Sequence, residues 1–146
     1  MKMVEIKEFE PKMADGIAAL EKECFSEPWS ARSIIDSYNF NTVFFTAFDG
    51  GSLIGYIGVQ NIAGEAFVTN LAVSEYSRRQ GVGAALLKNA VLYCRKSGIC
   101  KISLEVRKSN LPAIKLYSAA GFETVGERRN FYSYPKEDAL IMTAEL

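Results

Sequence analysis

The chain has 146 residues, 49% hydrophobic and 23% charged, with 17 basic and 17 acidic side chains and no histidine. This is the balance of a single globular domain spanning residues 1–146 with a hydrophobic core, and the zero net charge gives no global polycation signature for nucleic acid or anionic membrane, while leaving room for a local basic patch. Without histidine, Ser-His and Cys-His nucleophilic machinery is excluded and a zinc site is not expected, so acid–base work falls to Glu, Asp, Tyr, Lys, Cys or water.

From the N-terminus, "MKMVEIKEFE" lacks the apolar core of a signal peptide, and no apolar run approaches the ~20 residues of a membrane helix. Val4 and Ile6, with Met3 and Phe9, alternate as a first strand. Pro11 then opens a helix, where its missing N–H costs little. Met13, Ile17, Leu20 and Cys24 form that helix's apolar stripe. "EPWS" breaks it, and Ser30 caps a second short helix running to about Asn39. Trp29 in that break suits either a core anchor or the wall of a cleft.

"TVFFTAFDGGSLIGYIGVQN" reads as a hairpin turning at Asp49-Gly50-Gly51, and "EAFVTNLAVS" as another strand. "GVGAALLKNAVLYCRKSG" is a helix with Leu86, Leu87, Ala90, Val91 and Cys94 on its apolar side and Gly98 at its stop. "KISLEV" is a strand. "NLPAIKLYSAAG" is a short helix capped by Ser109 or Asn110 and stopped at Gly121. "FETVGERRNFY" and "DALIMTAEL" are the last strands. The order β-α-α-β-β-β-α-β-α-β-β predicts an α+β fold, a mixed, mostly antiparallel sheet flanked by about four helices, and excludes regular doubly wound alternation. Cys24, Cys94 and Cys100 are odd in number and unpatterned, as in a reduced cytoplasmic protein using cysteine as a small core residue.

Three places carry chemistry. The first is "RRQGVGAALL", joining a strand to the long helix. Unpaired N–H groups and the helix dipole favour an anion there, glycines allow close approach, and Arg78 and Arg79 add charge. A P-loop needs Gly-Lys-Ser/Thr, which is missing, and the dinucleotide fingerprint needs a third glycine where Leu86 stands. What remains is Arg/Gln-x-x-Gly-x-Gly/Ala, matched by Arg78, Gly81 and Gly83, or simply a tight helix entry. The second place is "ISLEVRKSN". Alternation of Ile102, Leu104 and Val106 puts Lys101, Ser103 and Glu105 on the other strand face, where an ordinary polar Glu105 is the simplest reading. The third is the following helix, where Asn110, Ile114 and Tyr117 share one face at i, i+4, i+7.

These segments, in this order, resemble the GNAT family, the GCN5-related N-acetyltransferases that use acetyl-CoA, over essentially the whole chain. "TNLAVSEYSRRQGVGAALL", "LEVRKSNLPAIKLYSAAGF", "GERRNFY" with "EDALIM", and "EPWS" look like the RimI-type branch, which acetylates the N-terminal alanine of a small-subunit ribosomal protein. The resemblance implies that Leu71, Ala72 and Val73 lie on the strand pairing with the pantetheine arm. It implies that Arg79, Gln80, Gly81, Val82, Gly83 and Ala84 form the pyrophosphate loop, with Arg78 beside it, and that Asn110 contacts acetyl-CoA near its reactive end. Glu105 becomes the general base and Tyr117 the general acid, in a direct transfer without an acyl-enzyme. No metal, nucleic-acid or membrane partner is implied, and a cytoplasmic monomer is expected. "FYSYPKED" departs from the tyrosine-rich segment of that branch. Phe131, Tyr132 and Tyr134 before Pro135 are either a hairpin tip or a peptide-binding flap. Glu23, Glu27, Asp36, Glu137 and Asp138 are candidates for an acidic groove facing a basic substrate tail. The alternative activities are acetylation of other N-termini, lysines or a small amine, or acetyl-CoA binding without catalysis.

Overall fold

The computed structural model describes residues 4–146, so Met3 as part of the first strand lies outside the described residues. The chain runs β1 (Val4–Glu8), α1 (Ala14–Cys24), α2 (Ala31–Phe40), β2 (Thr42–Asp49), β3 (Ser52–Ile62), β4 (Glu65–Val73), α3 (Val82–Lys96), β5 (Lys101–Arg107), α4 (Leu111–Ala119), β6 (Glu123–Ser133) and β7 (Lys136–Glu145). This is the order and α+β class the sequence predicts. Pro11 opens a short 3-10 turn, Pro11–Met13, that leads into α1, and a second such turn, Glu75–Ser77, precedes the glycine-rich loop. Ser30 caps α2 by accepting the Ser33 N–H at 3.1 Å, as its position before an apolar-periodic stretch predicts.

The seven strands form one sheet in the order β1-β2-β3-β4-β5-β7-β6. The one parallel junction, β4 with β5, holds only at Ala66↔Ile102 and Phe67↔Ser103. Beyond Phe67 the two strands share no further pairs, so the sheet divides there. Ile17, Leu20 and Ile34 from α1 and α2 pack with Phe44, Tyr56 and Ala72 on one face. On the other face, Leu86, Leu87, Ala90, Cys94 and Tyr117 from α3 and α4 pack with Ile102, Leu104, Val106 and Met142. The period of two along β5 then turns Glu105 to the α1–α2 face. Two expectations about single residues are corrected. Val82, the first residue of α3, is buried while Val91 is half-buried, because the side of the helix facing the sheet is set by Val82, Leu86, Leu87, Ala90 and Cys94. Cys100 is exposed, lying in the connection into β5 rather than inside it; Cys94 alone of the three cysteines is a core residue.

One bulge shapes the division. β3 and β4 shift register between Gly58 and Val59, pairing Asn70↔Gly58 and Val68↔Val59, which leaves Thr69 as the extra residue. A Cβ on Gly58 would lie 2.5 Å from Thr69 Oγ1 and 2.7 Å from the Phe44 ring. Only glycine lets the bulge fold down, so Thr69 reaches the Phe44 side while Asn70 reaches α1.

Candidate active site

At the start of α3, Gly81 is the N-cap at φ +80°, with no side chain capping the helix and no acidic residue in its first turn. The first intrahelical bond runs from Ala85 N–H to Gly81 O at 3.0 Å. The N–H groups of Val82, Gly83 and Ala84 therefore lie at the positive end of a 15-residue helix without a helical acceptor. Arg79 stands at φ +62° in the preceding turn, a conformation uncommon away from glycine. Gly83 serves packing: a Cβ there would meet Leu116 Cδ2 at 3.3 Å, so α3 approaches α4 through it. Arg78 is tied to the neighbouring strand end, its Nε donating to Val73 O at 3.1 Å and its Nη2 lying 3.6 Å from Cys24 Sγ. Burial pushes the Cys24 thiol above its ordinary range despite that guanidinium.

The anion site and the division of the sheet are joined by β4. Leu71, Ala72 and Val73 pair with β3 on one side only, because β5 has already turned away. Their other edge faces the gap. A long, flexible anion with amide groups, anchored by phosphate at the helix and hydrogen-bonded along this edge, fits these residues, as the pantetheine pyrophosphate of coenzyme A does.

Glu105 stands on the opposite bank. Its side chain is 32% exposed and its Oε2 accepts from Arg128 Nε at 2.9 Å, across the intervening strand β7. A cavity of about 50 Å³ lies at the fork, lined by Phe67, Ser103, Glu105 and Arg128 among others, enough for a water. Tyr117 is buried in α4, and its hydroxyl makes no hydrogen bond to another described residue. Burial first, and then the nearby Tyr132, pushes it up to about 12. Asn110 Oδ1 accepts the Ala113 N–H at 3.2 Å as the N-cap of α4, leaving its NH2 as the end that can meet a ligand.

Tyr132 links the two. It feels the field of Glu105, acts on Tyr117, and lies beneath the Arg107 guanidinium, 4.3 Å from its ring centre. Burial pushes its phenol up as well. Its place came from no sequence signal beyond the aromatic run before Pro135, because a register shift between Arg128 and Tyr132 sets which β6 residues face the fork. Arg107 also pins the β6–β7 turn, donating to Pro135 O at 2.8 Å and Tyr134 O at 3.2 Å. Ser26, in the α1–α2 connection, donates to the same Tyr134 O at 3.1 Å. The two loops therefore meet over the fork on the α1–α2 side. Phe131 and Tyr134 are exposed there.

Most candidates for an acidic groove are already engaged. Glu137 pairs with Arg107 at 3.3 Å and accepts the Ser109 N–H at 2.7 Å, bonds that hold its carboxyl below the ordinary range. Glu23 accepts the Glu75 N–H, Asp138 the Asn130 N–H, and Asp36 pairs with Arg32. Sequence reasoning passed over a different acid, Glu21, which is 1% exposed. It receives the Trp29 N–H at 2.9 Å and the Tyr56 hydroxyl at 2.7 Å. Its spacing was the available signal, since Ile17, Leu20, Glu21 and Cys24 follow i, i+3, i+4, i+7 and put the carboxylate inside the apolar stripe.

Residues 14–122 match the model of the Acetyltransferase (GNAT) family. The [ribosomal protein bS18]-alanine N-acetyltransferase of Escherichia coli strain K12 is 34% identical over 125 residues, covering 84% of each chain. The crystal structure of the ribosomal-protein-S18-alanine N-acetyltransferase from Escherichia coli superposes with a TM-score of 0.91 at 31% identity, covering 98% of this chain and 94% of that one. The PaiA N-acetyltransferase from Thermoplasma acidophilum, solved in complex with coenzyme A, shares the fold at a TM-score of 0.83 and 20% identity, over 99% of both chains.

Proposed function

The chain belongs to the GNAT family of acetyltransferases, and from that premise we propose that it acetylates the N-terminal alanine of ribosomal protein bS18. The observation that carries the acceptor is the 34% identity to the enzyme of that name over 84% of both chains. The ribosomal acceptor places the reaction in the cytoplasm. Acetyl-CoA, the co-substrate, supplies the acetyl group as an activated thioester. The N–H groups of Gly81, Val82, Gly83 and Ala84, with Arg79 and Gln80, hold its pyrophosphate. The open edge of Leu71, Ala72 and Val73 holds its arm, Arg78 braces that strand end, and the Asn110 NH2 meets it near the acetyl group.

The chain's own side chains manage the protons. An α-amine with a reference value near 8 is roughly one-tenth neutral at pH 7, whereas a lysine near 10.4 is neutral to about 0.04%. An N-terminal acceptor therefore needs only modest help. Glu105 takes the amine's proton, directly or through a water in the cavity at the fork, after exchanging its Arg128 contact. Tyr117, raised to about 12, stays protonated at any physiological pH. It is a weaker acid than a free tyrosine, and it stabilises the departing sulfur by donating a hydrogen bond more than by giving up its proton.

Intact-mass measurement of bS18 N-terminal peptide incubated with the protein and acetyl-CoA tests this reading. The expected result is one acetyl group on the α-amine and none on a peptide whose α-amine is blocked. Acetylation confined to lysines or small amines overturns the acceptor assignment.

A further inference from the structure

Arg107 and Glu137 lie outside the groups that hold acetyl-CoA or move protons. They nevertheless form the most sheltered ion pair among the described residues, with side chains 27% and 20% exposed, against 59% and 32% for Arg128 and Glu105. The pair does more than match charges. The guanidinium donates from Nη1 to Pro135 O at 2.8 Å and Glu137 Oε1 at 3.3 Å, and from Nη2 to Tyr134 O at 3.2 Å. It also lies 4.3 Å from the centre of the Tyr132 ring. The other carboxylate oxygen, Glu137 Oε2, accepts the Ser109 N–H at 2.7 Å. These bonds hold the Glu137 carboxyl below its ordinary range, so it stays ionised at neutral pH.

Each contact lands on a segment that carries a working group. Arg107 ends β5, two residues after Glu105 and on the same strand face. Ser109 lies in the turn 108–110 between β5 and α4, next to the Asn110 cap, and Tyr117 follows on that helix. Tyr132 pairs with Glu137 across β6 and β7 and lies within electrostatic reach of both Glu105 and Tyr117. The turn into α4 has little packing of its own, since Lys108, Ser109, Asn110 and Leu111 are all exposed. Hydrogen bonds to β7 fix it instead: Ser109 N–H to Glu137, and Lys108 N–H to Asp138 O at 3.1 Å. A misplacement of about 1 Å in a reacting geometry can cost about 10²-fold in rate.

We propose that the Arg107–Glu137 pair is a positioning element for the transfer step, fixing the end of β5, the start of α4 and the Tyr132 ring relative to one another. The proposal rests on the acetyl-transfer reading and adds two residues that act through Glu105, Asn110 and Tyr117. Arginine suits the place because its planar fork stacks on a ring while bonding several acceptors at once, which an ammonium does not do. The N–H groups at the start of α3 and the open edge of β4 lie outside these contacts. The pair therefore governs turnover and leaves acetyl-CoA binding nearly alone.

The test compares wild type, Arg107→Ala, Glu137→Ala and the double variant Arg107→Ala/Glu105→Gln at a temperature where each is folded. The N-terminal bS18 peptide serves for kinetics, and calorimetry measures acetyl-CoA affinity. Each single variant is expected to lower kcat roughly tenfold or more, while peptide KM and acetyl-CoA affinity stay within about threefold. In the double variant the two losses should fall well short of multiplying, because Arg107 acts in part through Glu105. An unchanged kcat in either folded single variant overturns the proposal. So does a loss confined to KM, or one matched by acetyl-CoA affinity, or a double variant whose losses multiply. Where an alanine variant does not fold, Arg107→Lys and Glu137→Gln decide by the same constants, with kcat expected to fall severalfold. Wild type that acetylates no peptide amine brings down the acetyl-transfer reading itself, a result distinct from any of these.

Discussion

Glu21 and Glu105 stand on opposite banks of the divided sheet in opposite surroundings. Glu21 is 1% exposed, held by uncharged donors and paired with no cation among the described residues. Glu105 is 32% exposed at the side chain and paired with Arg128 at 2.9 Å. A buried side chain bonded on several sides has no room to move. An exposed one in a surface ion pair exchanges partners cheaply, since such pairs are worth ~0–1 kcal/mol. On the proposed reading, that contrast leaves proton transfer to Glu105 and architecture to Glu21.

The sharpest break in that contrast comes from Glu105→Gln. Turnover is expected to fall by roughly 10²–10⁴ with the melting temperature almost unchanged. Tyr117→Phe belongs with it, with a turnover loss at the lower end of that range and intact acetyl-CoA binding. Stopped assays with saturating acetyl-CoA, beside a thermal melt, separate the two quantities. A Glu105→Gln enzyme with wild-type turnover would move the base elsewhere.

Glu21→Ala should show the reverse pattern. It strands the Tyr56 hydroxyl and the Trp29 N–H in the core, and the expected cost is about 3 kcal/mol of stability. Urea unfolding monitored by far-UV circular dichroism measures it. A loss below about 1 kcal/mol would mean that water replaces the carboxylate and that the network is not structural.

Tyr117 supplies a pH test on the same bank as Glu105. Its folded value of about 12 lies above the unfolded reference near 10. Between those values the unfolded chain gives up a proton that the folded one keeps, so stability is complete below pH 10 and is lost as pH rises toward 12. The loss approaches roughly 3 kcal/mol for a shift of that size. Tyr56, raised in the same direction by burial and by Glu21, adds to it. Urea midpoints from pH 8 to 11 should fall, and Tyr117→Phe should flatten part of the fall.

Gly58→Ala tests the bulge that turns Thr69 toward Phe44 and Asn70 toward α1. The new methyl meets Thr69 Oγ1 and the Phe44 ring at 2.5 and 2.7 Å, and an overpacked core of this kind costs about 1–3 kcal/mol. Thr69→Ala in the same background should recover part of the loss of melting temperature. No recovery would place the clash at Phe44 instead.

How much of this was legible in the sequence depends on reach along the chain. The Asp49-Gly50-Gly51 turn, the Ser30 cap and the Gly81 helix entry are written in a few adjacent residues, and each stands where the pattern puts it. The face of Glu105 follows from alternation with Leu104 and Val106. The partners of Glu105 do not. Arg128 reaches it across β7, and register shifts on either side of Arg128 set that meeting. Asn70 and Thr69 were likewise read as ordinary strand residues, because the bulge opposite Gly58 depends on a strand pairing that no local pattern encodes. Glu21 was the exception in kind: its helical spacing carried a signal of burial that the sequence reading passed over, and its partners come from β3, β4 and the loop at Trp29.

Arg128→Ala is the smallest perturbation and tests the exchange on which Glu105 depends. Losing an ion pair exposed on both sides should change stability by less than about 1 kcal/mol. Turnover should stay within about threefold of wild type, since Arg128 must release the carboxylate before it can take a proton. A Glu105 held permanently by Arg128 would behave like Glu21, fixed and inert. If Arg128→Ala instead abolishes turnover as Glu105→Gln does, with acetyl-CoA binding intact, the pair works as one unit and the guanidinium takes part in positioning the acceptor. The steady-state rates of the two single variants and their double then decide it: independent losses multiply, whereas a shared role leaves the double no slower than Glu105→Gln.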